Sequence, residues 1–161
     1  MLYNIGEYTL SPYKVCWPEL SNDLRASVAE PAKFAKAKNR ILVPDHTVVF
    51  IPLKDRAEAH YCCALLNSSI GGLIVASYVT LHPSPHVLEH VRLPQFDLQD
   101  MQHQRLAKLS VEAHQLTAEV PEAEHQRLGK VEADIDETAA AAWGISDSEL
   151  RDIQSSLADL K

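Results

Sequence analysis

What this chain is short of narrows it first. It has only three cysteines, Cys16, Cys62 and Cys63, which cannot all pair within one chain. Adjacent Cys62 and Cys63 fit a helix interior, where cysteine behaves as a small hydrophobe. A reducing, cytoplasmic setting is expected from that usage. No apolar run reaches the roughly 18 residues of a membrane-crossing helix, and the N-terminus lacks the basic start and continuous apolar core of a signal peptide, so no membrane partner is expected. Glycine is scarce, at five residues. Gly71-Gly72 lies inside an apolar helical run and reads as close packing, not as a phosphate loop. There is no Gly-x-Ser-x-Gly elbow for a nucleophilic serine.

Other chemistries fail for want of partners. Ser11-Pro12-Tyr13 is near the loop that holds a target amino group in amino-methyltransferases, but it lacks the second proline and a glycine-rich cofactor motif upstream. Pro44-Asp45 could open a nuclease signature, yet no Asp/Glu-x-Lys follows at a useful distance. Among the eight histidines, His86 and His90 are four apart, while His82 is separated from them by Pro83 and Pro85. Zinc needs three or four converging ligands, and Cys62-Cys63 lacks Cys-x-x-Cys spacing. No metal, no cofactor and no catalytic residue are expected of this chain.

What is present is an ordinary globular composition, 46% hydrophobic and 23% charged, over 161 residues. That length allows one domain, or one with an appendage, burying roughly 68–70% of its unfolded surface. The net charge of −7 argues against a surface that attracts nucleic acid everywhere. The charge is uneven, however. Between Pro31 and Pro44 stand Lys33, Lys36, Lys38 and Arg40 with no acid, whereas acids outnumber bases from Glu112 to Asp159. Those four cations are the candidate DNA-binding residues, because such a run can contact phosphates and so position a duplex without reading it.

The pattern centres on Ile41–Ile74. Thr47–Ile51 reads as a buried strand, Pro52 as its stop, and Asp55-Arg-Ala-Glu58 as a capping box. Ala59, Cys62, Cys63, Leu65 and Leu66 then fill helical positions, Asn67-Ser-Ser breaks the helix, and a second apolar helix starts at Ile70. Upstream, residues 1–10 and Tyr13–Trp17 read as strands. Val15 shares a face with Tyr13 and Trp17, and Pro18 ends the run. Leu24–Val28 leans to strand, and Ala32–Asn39 reads as a short exposed helix or a loop. Downstream come a loop over 79–85, a short helix from Pro85 through Glu89 and an extended edge segment Val91–Phe96. Next is a helix over 97–118 with Leu106, Leu109, Ala113 and Leu116 on one stripe. A second helix follows Pro121, with Leu128, Val131, Ile135, Thr138 and Ala142 on its stripe. Gly144 suits the C′ position. Ser146-Asp-Ser-Glu149 is a capping box for a last helix carrying Leu150, Ile153, Leu157 and Leu160. The fold expected is α+β, a small mixed sheet packed with helices followed by a C-terminal helical segment. Residues 1–96 form the mixed unit, and 97–161 pack on it or on a partner.

Taken together, Tyr3-Asn-Ile-Gly-Glu-Tyr8, Pro12-Tyr-Lys-Val-Cys-Trp17, Pro44-Asp-His-Thr-Val-Val-Phe-Ile51 and Glu58-Ala-His-Tyr-Cys-Cys-Ala-Leu-Leu-Asn-Ser68 carry a resemblance. Val91-Arg-Leu-Pro-Gln-Phe96 and Ile135-Asp-Glu…Trp143-Gly-Ile145 extend it over nearly the whole chain. The chain resembles the C-terminal target-recognition region of adenine-specific DNA methyltransferases and restriction–modification enzymes, the TaqI-like specificity domains. That resemblance implies a non-catalytic module that recognises double-stranded DNA. Its catalytic partner would be an N-terminal methyltransferase domain of the same polypeptide or a partner subunit, and S-adenosylmethionine would bind only there. It also implies that this chain is a fragment or a separately made domain of a longer enzyme. Base-reading side chains of the family lie in variable loops, so none is carried over. Tyr13, Lys14, Leu66, Asn67 and Ser68 match family motifs and read as scaffold. The rival expectation is an assembly module whose acidic helices dock a catalytic subunit or a second copy without touching DNA.

Overall fold

Between Ala59 and Leu66 the side chains are apolar on every side except at His60, and a helix of that kind belongs inside. In the computed structural model, which describes residues 6–21, 24–34, 37–78, 85–119 and 124–160, that helix is α1 (Arg56–Asn67), and every residue from Ala59 to Leu66 is buried. It begins at Asp55, whose carboxylate accepts from the Glu58 N–H at 2.9 Å. It ends at Ser68, whose Oγ donates to the Leu65 carbonyl at 2.7 Å and accepts from the Gly71 N–H at 3.2 Å. α2 (Ser69–Tyr78) leaves at a bend of 63°. Gly71 makes that bend possible: a Cβ there would sit 2.4 Å from the Leu65 carbonyl oxygen.

Among the described residues five strands precede α1: β1 (Tyr13–Pro18), β2 (Ser27–Ala29), β3 (Ala32–Phe34), β4 (Ala37–Arg40) and β5 (Val48–Leu53). They make a three-stranded sheet, β2-β1-β5, and a separate two-stranded ribbon, β3-β4. The α+β class is as expected, but every described pairing is antiparallel, where a mixed sheet was expected. The reason is topological. Parallel strands need a long crossover, usually helical, and here every α-helix follows the last strand.

β1, not the Thr47–Ile51 run, is the central strand. Val15 and Trp17 enter the core on the face toward α1, while Lys14 and Cys16 are buried on the other face. There the Lys14 ammonium donates to the Ser11 carbonyl at 2.6 Å and lies 5.8 Å from the centre of the Phe50 ring. β5 is a half-buried edge. It runs through Pro52 to Leu53, past the expected stop, and β1 likewise includes Pro18. The Val28 N–H points out of the sheet and Glu19 donates to the Thr47 carbonyl. The odd-numbered residues of β1 therefore bond β5, and Pro52, opposite Lys14, faces the outer edge where its missing N–H costs nothing. The strand expected over residues 1–10 is a 3-10 turn at Glu7–Leu10, and residues 1–5 lie outside the described residues. In that turn the Thr9 hydroxyl accepts from the Gly6 N–H, a local bond that competes with strand pairing.

A short 3-10 turn at Pro85–Glu89 follows, the expected helix in tighter form; the loop expected before it lies almost wholly outside the described residues. Val91–Phe96, expected as an extended edge, carries no regular secondary structure and has no strand partner among the described residues. Side chains hold it instead: Tyr61 donates to the Pro94 carbonyl and Trp143 to the Arg92 carbonyl, both at 3.0 Å. Three helices complete the chain: α3 (Met101–Glu119), α4 (Glu124–Trp143) and α5 (Asp147–Asp159). α3 starts later than the stripe implied, because Asp100 caps it by accepting from the Gln102 N–H at 2.7 Å. α3 packs along α1 and against α4, and α5 packs on α2. The α4–α5 corner follows its sequence signals. Gly144 takes φ of 69°, and Ile145 N–H reaches back to the Ala140 carbonyl at 2.8 Å, closing α4. Ser146 and Glu149 form the reciprocal box that opens α5. One hydrophobic cluster runs from Val15 and Trp17 through α1 to Leu106, Ile135 and Leu150.

Candidate nucleic-acid interface

The basic run Lys33–Arg40 builds the ribbon. Lys33 lies in β3, Lys38 and Arg40 lie in β4, and Lys36 is outside the described residues. The expected helix or loop is thus corrected to a hairpin. Ala32 pairs with Arg40 and Phe34 with Ala37, so β4 carries one residue more than β3 between the two pairs. That bulge interrupts the two-residue alternation by which a strand is recognised, and it increases the local twist. Arg40 is exposed. β3 and β4 contact each other and pack substantially on no other described element. A two-stranded ribbon of this kind is one of the two elements that the B-DNA major groove admits.

A polar cluster roots the ribbon in the core. Glu30 precedes Pro31 and β3, and Arg56, the first residue of α1, grips its carboxylate with Nε at 2.9 and 3.0 Å and a terminal nitrogen at 2.7 Å. The Arg56 hydrogen bonds hold the Glu30 carboxyl below its ordinary range. His60 Nε2 lies 2.9 Å from the same carboxylate, and its Nδ1 lies 3.0 Å from Ser110 Oγ on α3. Burial pushes the His60 pKa down. The ring is therefore neutral at pH 7, donating from Nε2 to Glu30 and accepting at Nδ1 from the serine. One turn on, His114 Nδ1 donates to the Ser110 carbonyl at 2.7 Å, which leaves Nε2 to accept the Val28 N–H at 2.9 Å.

Ser110, His60 and Glu30 have the order of a catalytic relay but not its setting. Ser110 and His60 are each only 2% exposed. Ser110 is in mid-helix, where the surrounding N–H groups are already bonded and cannot stabilise an oxyanion. The cluster connects α1, α3 and the strand edge. Thiol chemistry is equally disfavoured, since burial pushes Cys62 and Cys63 up to about 12. Among the described residues no group of three His, Cys, Asp or Glu could hold a metal. His86 pairs with Glu89 at 2.8 Å and His90 stacks on Tyr78, while His82 is outside the described residues.

No protein-family model, curated protein or solved structure matches the chain.

The residues read as scaffold have definite structural contacts. Asn67 pairs with the Ala26 backbone as a strand would, accepting from its N–H and donating to its carbonyl, both at 2.8 Å. With His114 on Val28, it closes the free edge of β2. A cleft of about 850 Å³ opens between β2, α2, α4 and α5. Its main polar groups are used by the fold: Asp136 accepts from Ser69 N–H at 2.7 Å and from Gln154 at 2.9 Å. Glu30, Arg56, His60, Ser110 and His114 were not singled out from the sequence. The available signals were a lone histidine inside an apolar helix, and a Ser-x-x-x-His pair beside the apolar stripe of α3.

Proposed function

We propose that this chain is a DNA-recognition module without chemistry of its own, serving a methyltransferase or restriction–modification enzyme whose catalytic part binds S-adenosylmethionine. One observation carries the reading: Lys33, Lys38 and Arg40 of the dense cationic run lie in a β-ribbon that packs substantially on no other described element, in an otherwise acidic protein. Lys33, Lys36, Lys38 and Arg40 contact phosphates and fix register. The ribbon enters the major groove, where all four base pairs differ. Changing all four cations to Gln weakens binding about equally for cognate and random duplexes. It also flattens the slope of log affinity against log salt by about 3.6 units, at about 0.9 for each of the four lost contacts. A variant that keeps the wild-type slope would refute the assignment.

The second reading, an assembly module that never touches DNA, draws support from Leu98 and Met101, large apolar side chains 58% and 83% exposed near the start of α3. It predicts no duplex binding at any salt concentration, so the same titration separates the two.

A further inference from the structure

The ribbon has two connections to the core, and they differ in length. Behind β4 the chain runs through the exposed segment Ile41–Val43 and then Pro44 before it reaches β5. Ahead of β3 only Pro31 separates Ala32 from Glu30, and proline fixes its own φ and holds the preceding residue extended. An isolated two-stranded ribbon is marginal in water, so its direction depends on how that short connection is held. Glu30 is held by Arg56 through both carboxylate oxygens, and by His60, which Ser110 backs from α3.

We propose that Glu30 is a positioning residue for the ribbon: clamped by Arg56 and His60, it sets the direction in which β3 and β4 leave the core and keeps the ribbon ordered before a duplex binds. The clamp follows from the geometry alone; its consequence for DNA rests on the proposed function. Because Glu30 touches no ligand, its removal raises the cost of ordering the ribbon on binding and leaves the number of phosphate contacts unchanged.

The test uses the full chain with Glu30→Ala, Arg56→Ala, their double variant and Glu30→Gln, followed by amide hydrogen exchange. The alanine variants should accelerate exchange in β3 and β4 roughly tenfold while α1 and α3 keep their protection. The double variant should be no worse than the singles, and Glu30→Gln, which keeps an acceptor oxygen, should recover part of the protection. Uniform acceleration across the chain, or none in the ribbon, overturns the clamp. The duplex arm uses a 30-base-pair duplex of mixed sequence, titrated with salt. Glu30→Ala should bind about tenfold more weakly at every salt concentration with an unchanged slope. A changed slope, or unchanged affinity, overturns the positioning role. If the wild-type chain binds no duplex, the DNA reading and the functional half of this proposal fall together, while the exchange arm still decides the clamp.

Discussion

Replacing Asn67 tests the tie between the helical layer and the sheet. In Asn67→Ala two hydrogen bonds to Ala26 disappear, each with a net value of about 1 kcal/mol. Ala26 is buried, so its abandoned N–H cannot hydrate freely, which adds about 1 kcal/mol more. Its carbonyl keeps a weak partner, the Cys63 thiol at 3.4 Å. The loss is therefore about 3 kcal/mol, or a fall of about 6–12 °C in melting temperature for a chain of this size. Asn67→Asp is the sharper probe. Ionised, the new carboxylate still accepts from the Ala26 N–H but sets its second oxygen against the Ala26 carbonyl. Protonated, it supplies one acceptor and one donor, as the amide does. Folding therefore raises the pKa of the new carboxyl above its unfolded value of about 3.9. A raised pKa means stability that is present below the unfolded value and lost as pH rises through the folded one. Urea denaturation from pH 7 down to pH 4 should show the deficit against wild type closing on acidification. A deficit independent of pH, or an Asn67→Ala loss below about 0.5 kcal/mol, would refute the two-point pairing.

Three further outcomes are expected. Wild-type stability should fall on acidification in two stages, because His60 and Glu30 both have folded pKa values depressed below the ordinary 6.5 and 4.5. The His60 contribution is lost first and that of Glu30 at lower pH, where Asp45, Glu89, Asp100 and Glu149, also depressed by local hydrogen bonds, add to the same stage, so Glu30→Gln should shrink the lower stage in a plot of urea midpoint against pH without abolishing it. Gly71→Ala should cost about 1–3 kcal/mol by calorimetry, since the atoms it meets are backbone carbonyls that cannot step aside. Ile153→Asp should cost about 2 kcal/mol or alter the mass in solution, because Ile153 packs against the core from α5; unchanged melting and unchanged mass would count against that packing.

Local signals were legible in the sequence. Asp55, Gly144 and Ser146 marked helix ends within one turn of their places, and the stripes of α3, α4 and α5 identified Leu106, Ile135 and Leu150 as core. The ribbon was not legible, because an alanine–lysine run has helical propensity and its bulge hides the strand period. The central position of β1 was also hidden: Lys14 made one face look polar, yet it is buried, its ammonium on the Ser11 carbonyl and beside the Phe50 ring. The candidate cations Lys33, Lys36, Lys38 and Arg40 were singled out by charge alone. Their anchor was not, because Glu30, His60 and Ser110 meet across separations of 30 and 50 residues, and only packing brings them together.

The closure of the β2 edge also has a consequence in time. The imidazole that takes the Val28 N–H arrives 86 residues later, about 4–17 s of ribosomal elongation. The β2 edge is thus sealed only once α3 has been made, and until then the Val28 N–H is open to any other strand nearby. Growing this protein more slowly, or fusing a long segment between α2 and α3, lengthens the interval in which nascent chains can pair with each other instead of with their own third helix.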